Sequence, residues 1–83
     1  MDGAVTEVKG TNVDMTYSML VKGNEALLLA GNYKGAKSAT TVALPFKPKQ
    51  VLDLRDNGAK PNAKGTSLSF DVPKDEIRLF YIK

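Results

Sequence analysis

The chain has no cysteine, no histidine and no tryptophan. Without cysteine there is no disulfide and no thiolate zinc site, and the redox compartment is left open. Without histidine the commonest general base and the commonest transition-metal ligand are both missing. Arginine is scarce. Of twelve basic residues only Arg55 and Arg78 are arginine, and the rest are lysine. Nucleic-acid readers lean on arginine for bidentate contacts, so a net charge of +3 and a pI near 9.3 point only weakly to such a partner. The lysines are scattered. That pattern suits solubility and edge-strand protection better than a nucleic-acid surface. No apolar run reaches the roughly 18 residues a membrane-crossing helix needs. The opening Met1, Asp2 and Gly3 lack a charged-then-apolar signal pattern and fit the start of an excised fragment, so they say little about location.

What is present suits one small domain. Eighty-three residues bury roughly 60–65 % of the surface their unfolded chain exposes, which is marginal but sufficient for independent folding. A hydrophobic content of 42 % is ordinary for a globular chain.

The apolar pattern has period two. Residues 25–33 (EALLLAGNY) form the centre, because Leu27, Leu28 and Leu29 are consecutive. A strand there is apolar on both faces and belongs inside a sheet or in a sandwich that is covered again. Before it, residues 13–22 alternate, with Val13, Met15, Tyr17, Met19 and Val21 on one face. Gly23 and Asn24 between the two strands are a two-residue hairpin signal. That loop sets Lys22 opposite Glu25, Leu20 opposite Leu27, Met19 opposite Leu28 and Tyr17 opposite Ala30. Apolar residues thus meet apolar partners throughout.

Elsewhere the signals are shorter. Residues 4–9 (AVTEVK) read as an edge strand and 10–12 as a turn. Residues 32–38 read as a loop broken at Gly35. Residues 39–44 (ATTVAL) alternate, with Thr40, Val42 and Leu44 together, until Pro45 and Pro48 interrupt pairing. Residues 49–55 (KQVLDLR) form the next strand and 56–58 a turn, since Asn57-Gly58 favours positive φ. Ala59 and Lys60 are a stub before Pro61, and 62–65 a further turn. Residues 66–72 (TSLSFDV) turn Leu68, Phe70 and Val72 inward. Pro73, Lys74 and Asp75 reverse the chain, and 76–82 (EIRLFYI) close it, with Ile77, Leu79 and Tyr81 on one face and Phe80 and Ile82 on the other. No stretch has a convincing helical period. About seven to eight short strands at this spacing predict an all-β antiparallel β-sandwich, Greek-key-like, over residues 1–83.

Two segments carry a resemblance. EALLLAGNYKGAKSATTVALP is a strand ending in Asn-Tyr, a linker, and a Thr/Val strand ending in Leu-Pro. VLDLRDNGAK followed by LSFDVPKDEIRLFYIK completes the order. Together, from Glu25 to Lys83, they resemble the C-terminal antiparallel β-sandwich accessory domains that follow the catalytic barrel in many glycoside hydrolases. Asn32, Tyr33, Asp53, Leu54, Gly58, Pro73 and Glu76 match the pattern, while Pro61 and residues 62–65 depart from it. The resemblance implies a non-catalytic domain at the C-terminal end of a larger enzyme, whose partner is that enzyme's catalytic domain. It implies no cofactor and carries no catalytic residue onto this chain.

The residues themselves offer no catalytic constellation. A glycosidase needs two carboxylates facing across a cleft, roughly 5–9.5 Å apart. Asp53 and Asp56 instead flank a tight turn, where carboxylates cap backbone N–H groups. With Asn57 they lack the alternating spacing of a calcium loop, so no metal site is assigned. For carbohydrate, Tyr17, Phe70, Phe80 and Tyr81 fall on apolar stripes and are assigned to the core. Tyr33 and Phe46 are the loose aromatics, and they are the candidate sugar contacts, against core or interdomain packing as the plainer role. Lys34, Lys37, Lys47 and Lys49 with these two aromatics supply the ingredients of a single-strand groove if they share one end of the sandwich. An ordinary solvated loop end needs the same residues.

Overall fold

The computed structural model describes residues 4–6, 8–34, 37–56 and 58–83. Eight antiparallel strands lie among them: β1 (Ala4–Thr6), β2 (Thr16–Lys22), β3 (Glu25–Gly31), β4 (Ala39–Ala43), β5 (Val51–Asp53), β6 (Asn62–Lys64), β7 (Ser67–Asp71) and β8 (Ile77–Ile82). They form a five-stranded sheet in the order β1-β2-β3-β8-β5 and a three-stranded sheet in the order β4-β7-β6. Gly35, expected to break the 32–38 loop, lies outside the described residues, as do Glu7 of the first strand and Asn57 of the 56–58 turn.

The central hairpin follows from its turn. With Gly23 and Asn24 as the loop, Lys22 pairs with Glu25, Leu20 with Leu27, Met19 with Leu28 and Tyr17 with Ala30. Burial sets the register, because a one-residue slip would turn Met19 and Leu28 out to water. On the other side of β3, β8 pairs Leu28 with Phe80 and Ala26 with Ile82. The inward residues of the large sheet then meet Val42, Leu68 and Phe70 of the small one, and Val72 just after it, in a single core. Phe70 and Phe80 join the sheets edge to face, with ring centroids 4.8 Å apart, a favoured aromatic geometry.

Connections close the sandwich. Residues 8–12 leave β1 and run beside β4, where Gly10 bridges Val42 and the Thr11 amide donates to the Thr41 carbonyl. Tyr17 reaches across from β2, and its hydroxyl donates to the Asn12 carbonyl at 2.9 Å and sits against the Thr40 hydroxyl. Its ring covers Gly10 so closely that a Cβ there would lie 2.2 Å from it. Opposite, Arg78 extends inward from β8, 4 % exposed, and its Nε donates to the Asp71 carbonyl of the other sheet at 2.8 Å.

Four expectations change. The second strand starts at Thr16, and Val13 is 88 % exposed in a turn where the Met15 amide donates to the Asn12 carbonyl. The strand expected over 49–55 keeps only β5, because the 53–56 turn begins at Asp53. Residues 62–65, expected as a turn, contain β6, with Asn62 paired to Ser69 and Lys64 to Ser67, so the reversal falls on Gly65 and Thr66. All three β6 residues are exposed, and an edge strand without an apolar face leaves no period to read. Tyr81, expected in the core, stands on the outer side of the large sheet, since Arg78, Phe80 and Ile82 take the inner side.

Candidate docking face

The two outer faces of the sandwich differ in chemistry. On the small sheet, Thr41 and Ser69 face outward with their hydroxyls 2.9 Å apart, beside Asn62, Lys64, Ser67 and Asp71. That is the polar exterior an antiparallel sheet ordinarily shows to water.

The large sheet is built otherwise. Alternation that buries Met19, Leu28 and Phe80 sends Leu20, Leu27, Leu29, Ile77, Leu79 and Tyr81 outward. One cross-strand row reads Leu20, Leu27, Tyr81, Leu52, and the next reads Ser18, Leu29, Leu79. Leu54 extends the second row, its amide donating to the Leu79 carbonyl. Leu29 is 39 %, Leu52 37 % and Leu54 51 % exposed. The doubly apolar central strand was therefore legible, but among the described residues its outer face is only partly covered, with Leu27 half-buried and Leu29 exposed. An apolar sheet surface of this kind is a candidate docking face.

Polar groups rim it. Thr16, Ser18 and Lys22 border it along β2. At one end the Tyr81 hydroxyl donates to Glu25 Oε1. That bond, with loss of hydration and the nearby carboxylate charge, raises the Tyr81 phenol above its ordinary value near 10. At the other end the Tyr33 ring lies over Gly31, so close that a Cβ at 31 would sit 2.8 Å from it. Side chains at 27, 29 and 31 share the outer side, so Tyr33, 61 % exposed, extends the apolar surface past the end of β3.

The other residues matching the family pattern sit at structural posts. Asn32 is fully buried, and its Nδ2 donates to the Val72 carbonyl at 2.9 Å. Its amide donates to the Glu76 carbonyl and its carbonyl accepts from the Asp75 amide, tying β3 to the β7–β8 turn. The Glu76 amide closes that turn on the Pro73 carbonyl. Asp53 caps its own turn: Oδ1 accepts from the Arg55 and Asp56 amides, Oδ2 from the Ala59 amide. Both its oxygens are thus engaged by main chain. Among the described residues, no three acids gather as a cation would require.

The two candidate sugar contacts do not share a surface. Tyr33 follows the C-terminal end of β3. Phe46 is half-buried against the core and lines a cleft at the opposite end with Asn24, Glu25, Lys47, Lys49, Gln50 and Lys83. Seven residues of strand separate these ends, roughly 20 Å. The lysines divide likewise. Lys47 and Lys49 join Phe46, while the Lys37 carbonyl is bound by Asn12 at the other end. Lys83 completes the cleft, and sequence reasoning missed it because the strand it ends is brought there only by long-range pairing. The buried Arg78 was also missed, although its alternation with Phe80 and Ile82 was the available signal.

Compared with protein-family models, curated proteins and solved structures, the chain finds no match.

Proposed function

We propose that this chain is a non-catalytic accessory domain of a glycoside hydrolase, packing its five-stranded sheet onto the catalytic domain and stabilising it. The observation that carries the reading is the outward apolar face on which Leu29, Leu52 and Leu54 are exposed, with Leu27 and Leu79 half-buried between them. It contrasts with the hydroxyl-rich exterior of the small sheet. The sequence resemblance supplies the kind of partner. Its two segments run through β3 and β4, then β5, β7 and β8. The partner's role is to cover the leucines, which lose contact with water when it docks.

The test has two parts. The coding sequence upstream of Met1 should specify a glycoside hydrolase catalytic domain. In the joined enzyme, Leu29→Asp with Leu79→Asp should shorten the half-life at elevated temperature while the 83-residue chain bearing both changes still folds. A free-standing chain, or an enzyme indifferent to both changes, overturns the proposal. A sugar-binding module is the second reading, favoured by the exposure of Tyr33. Saturable amide shifts at Tyr33 with neutral oligosaccharides would promote it.

A further inference from the structure

The cleft at the β2–β3 hairpin end adjoins the docking face at Glu25 but has a different chemistry. Its volume is about 700 Å3, inside the range of roughly 300–1,000 Å3 typical of small-molecule sites. Lys47, Lys49 and Lys83 line it, and Glu25 is the one acidic side chain among its lining residues. Glu25 already accepts the Tyr81 hydroxyl. Among the described residues, neither Lys47 nor Lys49 has a side-chain partner. Lys47 and Lys49 bring positive charge to a concave wall and focus positive potential into it, while the Lys83 ammonium lies over the Tyr81 ring, 6.0 Å from its centroid.

The wall is held in place. Pro45 and Pro48 fix two backbone angles on either side of Phe46 and Lys47. The Lys49 and Gln50 amides both donate to the main-chain oxygen of Lys83, and the Lys83 amide donates to the Gln50 carbonyl. Phe46 packs its inner side on the core. Asn24 and Gln50 place neutral amides at the rim, each able to donate and accept. One aromatic surface, two amides and a surplus of positive charge thus meet in a single stiffened hollow.

We propose that this cleft binds an acidic saccharide, a short chain of uronic-acid type. A pyranose ring has an apolar face suited to Phe46, hydroxyl edges suited to Asn24 and Gln50, and a carboxylate suited to the lysines. The choice of a sugar rests on the glycoside-hydrolase reading, while the anionic requirement rests on the cleft alone. A single-stranded nucleic acid fits less well. Such grooves stack successive bases on several aromatics and use arginine, whereas Phe46 is the one aromatic lining this cleft and no arginine lines it.

The test is a backbone-amide NMR titration of the 83-residue chain with trigalacturonate, and in parallel with maltotriose, inorganic phosphate and pentathymidylate. Trigalacturonate should give saturable shifts at Asn24, Lys47, Lys49, Gln50 and Lys83 that weaken with added salt. The pair Lys47→Ala with Lys49→Ala should weaken binding about tenfold. Both lysines are exposed, so the remaining spectrum of that variant should be unchanged, which separates lost binding from lost folding. Maltotriose should leave the cleft amides unmoved. No saturable response to trigalacturonate, an equal response to maltotriose or phosphate, or tighter binding of pentathymidylate would each overturn the proposal. None of these outcomes depends on Leu29 or Leu79, so failure of the cleft and failure of the docking face are read separately.

Discussion

Asn32 offers the sharpest test of how this sandwich is held. It follows β3, is fully buried, and donates through Nδ2 to the Val72 carbonyl at 2.9 Å. Asn32→Ala removes that donor and leaves the carbonyl without it, at about 1–3 kcal/mol. The space vacated by the amide adds a smaller cavity cost. The main-chain bonds of residue 32 to Asp75 and Glu76 survive the change, so the fold should persist. We expect a total loss of about 2–4 kcal/mol, which in a domain of this size lowers Tm on the order of 10–20 °C. Asn32→Asp should be worse at pH 7, because it sets a buried carboxylate against a carbonyl oxygen. Its folded pKa is then raised, so the folded state holds the proton more tightly. The deficit should shrink as pH falls toward 4 and grow as pH rises through the raised value. Urea unfolding of both variants at pH 7 and pH 4.5 measures this. An Asn32→Ala variant within about 0.5 kcal/mol of the parent chain, or an Asn32→Asp variant with no pH dependence of its deficit, would refute the reasoning.

Four further outcomes follow from single features. Gly10→Ala should destabilise by about 1–3 kcal/mol in urea unfolding, because the new Cβ meets the Tyr17 ring whose hydroxyl is tied to Asn12; Gly31→Ala should cost less, since the exposed Tyr33 ring can swing away. Asp53→Ala should cost about 1–2 kcal/mol by freeing the amides of Arg55, Asp56 and Ala59, read by the same method. Ring NMR should show Tyr81 titrating above the ordinary phenol value, with Glu25→Gln moving it down toward 10; because the folded pKa is raised, the associated stability is complete below pH 10 and is lost as pH rises through the folded value. Leu28→Ala should cost about 2–5 kcal/mol, whereas Leu29→Lys, one residue along on the outer side, should stay within about 0.5 kcal/mol in the isolated chain.

Sequence legibility followed local rules. The β2–β3 register could be written down because a two-residue loop and unbroken apolar pairing both fix it, and Leu68, Phe70 and Val72 turned inward as their alternation requires. The role of Asp53 was legible because turn-capping is also local. Val13 misled because its alternation with Met15 continues a pattern that the Asn12–Met15 turn interrupts. β6 carries no apolar signal, and its existence depends on β7 beside it. The candidate surfaces were harder. Three successive leucines announced an apolar strand, but whether its second face is covered by this chain is a tertiary fact. Tyr33 and Phe46 are separated by the length of β3, while Lys47 and Lys83 come together from distant parts of the sequence.

The central claim is that the outer face of the five-stranded sheet docks onto a catalytic domain. The most direct measurement is calorimetry of this chain with the catalytic domain of the parent enzyme proposed for it, prepared separately. Saturable binding with a negative heat-capacity change, the mark of apolar burial, is the predicted result. Leu29→Asp with Leu79→Asp should abolish it, and Lys47→Ala with Lys49→Ala should leave it intact. Absence of binding, or binding that survives the two leucine substitutions, would contradict the account.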